Sequence, residues 1–586
     1  MANPKIQLGS EDITSHFQFL RVSQSAGAHH QFELRLSNED RAAHFRGTLS
    51  DASKKWIGKP LKIDGFFEGV VTSVGLSRAR TGGSVFVVRG QSPTVLADDG
   101  AHTRAFGEKT LKQLLDEAIK PYEGKLGELK LKPQYTKKIK YCVQYRESNF
   151  AFINRLAARY GEWFYYDGLK LVFGKPDSGA KIRLNFERDL TFFDISVKTV
   201  PVNFKLMGYD YKNNDFPKKD ADYAAPENEY AKIALDKSKN EVYPEKTSMP
   251  IHFGMNEDDL GQIAQLRQNV HLSEMVVVSG TSTNQDLRIG SVIEIVDPRS
   301  DMQAGGNDNY GKYIVTQLTH ELVTNGEGYS NQFEAIPAES AIPPIAVSPD
   351  PPFCEMQVAE VMENKDDKGM GRVRVQFIWQ KEAKGDDSKT PWIRVAAPMG
   401  GGDKGFYMVP EKGDQVLVAF EHNNPERPFV LMSGMYHKDA KPEHHDADNL
   451  KKAIKTKGGH QILMNDEKGK ESMALSSPTD FSAAASAGVM NLTAKGVITI
   501  KSDSGDIIID TPATIKIHAK TIEINADSSI TLGAPKIEIN AGQELKATGT
   551  TVSVEGQTSA DFKGSGKVNI ESAGVTSITG SMLKLN

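Results

Sequence analysis

The pattern in this sequence that most resembles a nucleotide-binding motif is GGGDKG at 400–405, a match to G-x-G-x-x-G. In dinucleotide-binding proteins these glycines open a helix whose N-terminal amides hold a phosphate. Here FYMV follows at 406–409 and predicts a strand, so no helix N-terminus would face a phosphate. We therefore interpret 400–405 as a loop. KGSGK at 563–567 lacks the spacing and the Ser or Thr of a Walker A loop, and we interpret it as a turn.

Several histidines and aspartates could in principle bind a metal, because imidazole and carboxylate are common zinc ligands. Most lie in a charged segment without a pattern that would order them, so a solvated linker is the preferred interpretation. His29 and His30 are interpreted as loop residues in the same way. We predict neither a metal site nor a cofactor. The candidates in the charged segment are His437, His444, His445, Asp446 and Asp448.

Hydrolase motifs are missing from the sequence, which contains neither a G-x-S-x-G elbow nor an H-E-x-x-H helix. Carboxylates are abundant, but no helical insertion would shelter one and raise its pKa. We therefore predict that the protein is not an enzyme and has no catalytic residue.

The composition favours a multidomain globular protein. The 586 residues suit three or four domains, and 39% are hydrophobic and 25% charged. A net charge of −5 argues against nucleic-acid binding. The two cysteines, Cys142 and Cys354, exclude a disulfide framework, and no signal-like apolar run opens the chain. We expect folding in a reducing cytoplasm and, if the protein leaves the cell, export without a cleavable signal peptide.

Residues 1–340 mix strands with a few helices. Alternating apolar residues predict strands at 32–36 and 84–88. Apolar stripes and capping residues predict helices at 110–120, 148–160 and 257–272.

Prolines between 337 and 352 predict a stiff linker, placed at 341–353, because proline fixes φ and removes a backbone donor. Residues 354–437 then show about five short alternating strands, typical of a small OB-type barrel. A charged connector is predicted at 438–457.

The last region, 458–586, contains a repeat of apolar-polar-apolar triplets. Consecutive triplets from 515 to 554 start 7 or 8 residues apart, separated by small and polar residues. In each triplet the two apolar side chains lie on one face of a strand, because side chains alternate. The predicted core residues are Ile515, Ile517, Ile522, Ile524, Ile530, Leu532, Ile537, Ile539, Val552, Val554, Val568 and Ile570.

Two structures would satisfy this repeat. One is a single-chain β-solenoid with three strands in each coil, and the other is an intertwined prism in which three chains each supply one strand per layer. A strand of three to five residues cannot bury its apolar face alone. The prism buries the same Ile and Val residues from three directions, so we favour a homotrimer.

Four motifs in order carry a family resemblance. The first is VQYRESNFAFINRL at 143–156, followed by YGEWFYY at 160–166. The barrel segments GRVRVQF, WIRVAA and GDQVLVAF come next, and then NPERPFV at 424–430 with GMY. The last is KTKGGH at 455–460 with NDEKG. Together they resemble the VgrG spike proteins of type VI secretion, which are similar to the fused hub and spike of contractile phage tails.

The resemblance implies a mainly β fold with some α. It comprises a hub of two barrel-like modules at 1–340, an OB-fold collar at 354–437 and an intertwined trimeric β-prism (β-helix) at 458–586. It implies that the hub caps the hexameric tube protein Hcp, and that the prism carries a PAAR-repeat tip protein and effectors or adaptors through a target membrane. Any metal at the tip would belong to the partner, because no Cys or His follows His518.

The final residues would form the last prism layer and dock the tip protein, the alternative being a frayed terminus. No room for a fused toxin is expected after them. The predicted docking residues are Met582, Leu583, Leu585 and Asn586.

Three other functions remain open: a catalytic β-solenoid such as a polysaccharide lyase or hydrolase, a surface adhesin, and the spike of an extracellular contractile injection particle. Charges in the repeat occur singly at outward positions such as Lys516 and Glu523. This distribution suits a solvated surface better than a catalytic groove.

Overall fold

The computed structural model describes residues 5–38, 47–78, 80, 83–176, 181–251, 257–298, 308–324, 328–344 and 350–585. The chain forms two compact units, Met1–Ser476 and Ser477–Asn586. Among the described residues, no helix is both long enough and apolar enough to cross a bilayer.

The first unit begins with a hub region, defined as the described residues up to 344. Its helices are α1 (Leu49–Trp56), α2 (Leu111–Ile119), α3 (Asn149–Tyr160), α4 (Glu229–Lys237) and α5 (Glu257–Met275). Its strands are β1 (Ile6–Leu8), β2 (Glu11–Asp12), β3 (Phe17–Ser25), β4 (Gln31–Ser37), β5 (Pro60–Ile63), β6 (Phe67–Arg78), β7 (Ser84–Gln91), β8 (His102–Thr110), β9 (Glu128–Leu131), β10 (Lys138–Glu147), β11 (Phe164–Tyr166), β12 (Lys170–Phe173), β13 (Ile182–Asn185), β14 (Leu190–Val197), β15 (Phe204–Met207), β16 (Lys218–Asp220), β17 (Thr247–Pro250), β18 (Val276–Ser282), β19 (Val292–Asp297), β20 (Asp308–Val323) and β21 (Gly328–Pro337).

One 13-stranded sheet runs through the hub region in the order β14-β18-β21-β20-β3-β4-β7-β6-β5-β1-β2, with β19 pairing β20 and β13 pairing β19. Two apolar cores pack on it, one around Trp56 and Phe86 and the other around Trp163 and Tyr313. The expected two modules are therefore present as two cores but are not separate barrels. The reason is that β20 pairs with β21 along one edge and with β3 along the other, which joins both halves.

The three predicted helices are confirmed. Thr110 forms a capping box at the start of α2, and the Ser148 side chain caps α3. Gly161 ends α3 with φ of 67°, a left-handed conformation that glycine adopts without steric cost. Helices α1 and α4 were not predicted. Each buries only two side chains, and three of those four are alanines, so the apolar stripe is weak.

The barrel domain, here called the collar and spanning 350–436, has strands β22 (Gln357–Glu363), β23 (Arg374–Phe377), β24 (Gly400–Gly401), β25 (Lys404–Gly405), β26 (Gln415–Phe420) and β27 (Pro428–Ser433). Its main sheet has the order β23-β22-β26-β27. The segment around Ile393 and Val395 closes the barrel, since Ile393 bridges Val373 and Val395 bridges Val430. This five-segment closure is the OB-type arrangement that the sequence predicts.

The first unit ends in an antiparallel sheet of β28 (Lys451–Lys455), β29 (Gln461–Asn465) and β30 (Ser472–Ser476). The prediction of an unordered connector over 438–457 is wrong at 451–455, which is β28. The sequence KKAIK does not predict this strand, because three of its five residues are lysines and its two apolar residues do not alternate with polar ones. Pairing with β29 supplies its backbone partners.

The second unit forms no helix or strand within its described residues, 477–585. Its apolar side chains are exposed; Ile515 is 51% and Ile517 70% accessible. The single-chain solenoid considered above is therefore not formed, because a coil of paired strands would bury these side chains and bond their backbones.

Candidate functional site: the junction of hub and collar

The hub region and the collar share an apolar core. The β8–β10 ribbon of the hub places Tyr141, Val143 and Tyr145 against collar residues such as Val361 and Phe377. All five side chains are buried. Because these residues exclude water together, the two predicted domains are joined by packing as well as by the proline-rich linker.

Helix α3 directs two arginines toward the collar. Arg155 and Arg159 are four residues apart and so lie on one helix face. Arg159 Nη1 donates to Glu426 Oε2 over 2.5 Å, and Arg155 Nη1 lies 3.9 Å from Glu426 Oε1. The side chains of Arg155 and Glu426 are only 5% and 6% exposed. The carboxylate thus links hub and collar in a nearly dry environment.

A second carboxylate completes this cluster. Glu147, at the end of β10, accepts hydrogen bonds from Arg155 Nε at 2.9 Å and from Arg155 Nη2 at 2.7 Å. Burial by itself lowers the pKa of Arg155 and Arg159, but Glu147 and Glu426 outweigh it and raise the pKa of both. Both guanidinium groups therefore stay charged and paired at all physiological pH values.

The collar loop that carries Glu426 has an unusual backbone. His422 and Asn423 both have left-handed φ, 55° and 58°, which costs energy for residues with a Cβ. Asn424 Oδ1 accepts the Glu426 amide at 2.8 Å, and Arg427 pairs with Glu421 at 2.7 Å. These bonds hold the loop so that Glu426 points at α3.

Two further contacts flank the cluster. Glu355 accepts the Tyr145 hydroxyl at 3.0 Å and Arg146 Nη2 at 2.6 Å. On the other side, the Gly107 amide donates to Asp387 Oδ1 at 2.8 Å. A Cβ on Gly107 would lie 2.7 Å from Asp386 Cβ, so the ribbon approaches the collar too closely for a larger residue.

The structure brings together two motifs that lie far apart in the sequence. Glu147 and Arg155 belong to the stretch at 143–156, and Glu426 belongs to NPERPFV at 424–430. Sequence reasoning used both for the resemblance but missed that they bind each other. The available signal was the charged residues next to apolar ones within each motif, since charges are rarely buried without a partner.

The apolar residues of the repeat show a regular pattern of side-chain exposure within the second unit. In the triplets starting at 515, 522, 530, 537, 552 and 568, the first apolar side chain is less exposed than the second. Met582, Leu583 and Leu585 are also exposed, whereas Asn586 lies outside the described residues. All twelve predicted core residues are thus accessible in the single chain.

Residues 400–405, interpreted from the sequence as a loop, form the β24–β25 hairpin, and the strand predicted at 406–409 is not formed. In the histidine-rich segment, Asp446 accepts the backbone amides of residues 448, 450 and 451, so its oxygens cap a turn. His29 and His30 precede β4 as expected for a loop, but His30 is completely buried.

Comparison with known proteins identifies this architecture. Residues 28–326, just over half of the chain, match the phage tail baseplate hub (GPD) family. The chain belongs to the phage tail baseplate hub family. Residues 357–436, the collar, match the type VI secretion system/phage-baseplate injector OB domain. The resemblance to VgrG and phage tail proteins is thereby confirmed.

Curated relatives of this family member include type VI secretion system spike proteins. Type VI secretion system spike protein VgrG4b of Pseudomonas aeruginosa is 26% identical over 386 residues, 58% of this chain and 46% of its own length. Actin cross-linking toxin VgrG1 of Vibrio cholerae is 24% identical over 381 residues, 58% of this chain and 33% of its own. The chain thus spans between a third and a half of these two relatives.

Solved structures with a similar fold include the E. coli c3393 protein of the type VI secretion system, at 16% identity and a TM-score of 0.46. That match covers 71% of this chain and 96% of the other. The Francisella PdpA-VgrG complex, half-lidded, matches at 9% identity and a TM-score of 0.48, covering 79% and 84%.

Proposed function

We propose that this chain is a structural, non-enzymatic spike that works as a homotrimer and is driven through a target membrane by a contractile machine. The observation that carries the proposal is the exposure of the aliphatic repeat in a single chain. Membership of the phage tail baseplate hub family supports it.

Three copies would satisfy the repeat, because each short strand needs both an apolar cover and backbone partners. In the prism each layer would take one strand from each chain, placing the residues from Ile515 to Ile570 in a common core. The assigned regions are the hub at 1–340, the collar at 354–437 and the prism at 458–586. Exposed apolar collar residues such as Tyr407 and Tyr436 give further surface for association.

Force from a contracting machine would enter at the hub and leave through the prism. The Glu147–Arg155–Glu426–Arg159 cluster and the shared core offer the path between hub and collar. A buried ion pair resists separation because parting it leaves desolvated charges unpaired.

The partners in this proposal are the hexameric Hcp tube at the base, a PAAR-repeat tip protein at residues 582–586, and effectors or adaptors. The spike would assemble in the bacterial cytoplasm and be injected by the contractile machine. The relative named as an actin cross-linking toxin matches this chain over only 33% of its length.

Mass in solution tests the proposal. Light scattering coupled to size-exclusion chromatography should give three times 64.3 kDa for the purified chain, persisting in mild detergent. A folded monomer would refute the trimeric spike. Incubation with cell-wall and polysaccharide substrates should give no turnover, and reproducible turnover would refute the non-enzymatic role.

A further inference from the structure

A cleft of about 750 Å³ opens between the hub region and the collar, beside the Arg159–Glu426 pair. Its walls come from the start of β10, the loop at 210–213, the first turn of α5 and the collar segments 391–394 and 421–428. Arg159 and Glu426 are only two of the residues that line this cleft, so most of its lining takes no part in the junction cluster.

Several cationic side chains in the cleft form no ion pair with its carboxylates. Its three arginines are engaged: Arg159 binds Glu426, and Arg394 and Arg427 both bind Glu421. Its four lysines form no ion pair with any described residue. These lysines are Lys137, Lys138, Lys140 and Lys212.

Three aspartates also line the cleft. Asp210 accepts the backbone amide of Lys212 at 2.9 Å and Asn213 Nδ2 at 2.8 Å, so it is engaged in shaping its own loop. Asp258 and Asp259 lie in the first turn of α5 and also line the cleft. They reduce the positive charge there without pairing the four lysines.

Lys212 is partly buried and lies near other cationic side chains. Its side chain is partly withdrawn from water, and burial together with nearby Lys140, Arg372 and Lys368 lowers its pKa. Arg372 is paired by Asp366 at 2.6 Å, and the nearby Asp210 carboxylate offsets only part of the repulsion between Lys140 and Lys212. Two neighbouring ammonium groups repel each other, and an anion placed near both relieves that repulsion.

The spacing of the lysines indicates an extended ligand. Lys138 and Lys140 occupy alternate positions of β10 and so point to the same face, roughly 7 Å apart along the strand. Alternate side chains of an extended peptide have the same spacing. Tyr135, Tyr211 and Trp392 provide aromatic surface for the apolar stems of such side chains, and the Arg394 guanidinium lies 4.4 Å from the Tyr211 ring centroid.

We propose that this cleft binds an acidic, extended peptide segment of a partner protein, with Lys140 and Lys212 pairing its carboxylates. The proposal is independent of the trimeric spike. A single phosphate fits less well, because the cations are distributed along a strand and a loop rather than converging on one point.

The test uses the full-length protein and a fluorescein-labelled hexaglutamate peptide, followed by fluorescence polarisation at low ionic strength. Hexaglutamate should bind more tightly than hexaglutamine, and added salt should weaken it. The Lys140→Gln/Lys212→Gln double variant should bind hexaglutamate at least about tenfold more weakly than the unmodified protein. Lys140→Arg/Lys212→Arg should retain binding because it keeps both charges.

The matched control is Lys120→Gln/Lys125→Gln, which removes two exposed lysines outside the cleft. It should bind hexaglutamate as the unmodified protein does. Equal loss in both glutamine variants would show a diffuse charge effect and overturn the proposal. So would equal binding of hexaglutamate and hexaglutamine, or displacement of hexaglutamate by an equal concentration of inorganic phosphate.

Discussion

Arg159 on the hub helix α3 donates to Glu426 on the collar loop over 2.5 Å, across 267 residues of sequence. Glu426 Oε1 also accepts a hydrogen bond from the Val143 amide at 3.3 Å and lies 3.9 Å from Arg155 Nη1. The collar carboxylate therefore supplies one of the two negative charges, with Glu147, that balance Arg155 and Arg159 where water is excluded. This makes the junction sensitive to the loss of a single charge.

Removing that charge should destabilise the junction. Glu426→Gln keeps the shape of the side chain but leaves Arg155 and Arg159 short of one carboxylate. We expect a loss of about 3–5 kcal/mol in the free energy of unfolding of the hub–collar unit, measured by chemical denaturation. Glu382→Gln is the control, since Glu382 is an exposed collar residue with no ion pair among the described residues. Equal stability of both variants would contradict this role.

Acid should destabilise the hub through two buried histidines. Gln24 Nε2 donates to His30 Nδ1 at 3.0 Å, and Gln24 Oε1 accepts from His320 Nε2 at 3.3 Å. His320 Nδ1 accepts the Tyr329 hydroxyl at 2.6 Å. With Nδ1 as the acceptor, each imidazole is neutral. Burial lowers the pKa of both histidines to about 3.

Proton linkage gives the direction in which pH changes the stability of the hub. The unfolded chain binds protons below its histidine pKa of 6.5, whereas the folded hub binds them only near pH 3. The stabilisation is therefore complete above pH 6.5 and is lost as pH falls toward 3. Between pH 7.5 and 5 the two groups should remove up to about 4 kcal/mol from the free energy of unfolding.

Denaturation at several pH values measures this effect. The slope should be smaller in His320→Gln and unchanged in His445→Gln, because His445 is exposed. An unchanged slope in His320→Gln would show that carboxylates alone cause the acid sensitivity.

Charge in the repeat should disrupt the proposed trimer when placed at an inward position. Ile517→Asp would bury a carboxylate in each of three chains, costing several kcal/mol per chain. Lys516→Asp, one residue earlier, places the same group on the outward face. Sedimentation velocity should show loss of the trimer only for Ile517→Asp. Equal behaviour of the two variants would contradict the assigned core.

The apolar end should bind the tip protein. Met582→Ser/Leu583→Ser/Leu585→Ser should abolish co-purification of a co-expressed PAAR-repeat protein while the mass stays at three chains. The matched control is Lys584→Ser, which changes the intervening polar residue. Retained co-purification in the triple variant would place the docking surface elsewhere.

The sequence by itself determined the local structure wherever one periodicity dominated. Thr110, Ser148 and Gly161 set the limits of α2 and α3, and the collar strands follow clean alternation. The triplet spacing also distinguished the second unit, because its period repeats over about 100 residues. The weak stripes of α1 and α4 and the lysine-rich β28 were missed because packing or pairing, not pattern, stabilises them.

Only the tertiary structure decided what joins the regions. The pairing of β20 with β3 makes one sheet of two modules, and the meeting of Arg155 and Arg159 with Glu426 makes one unit of hub and collar. Both contacts span more than 250 residues. Backbone pairing and charge pairing depend on distance in space, which neither periodicity nor composition encodes, so a linear pattern could not reveal these partners.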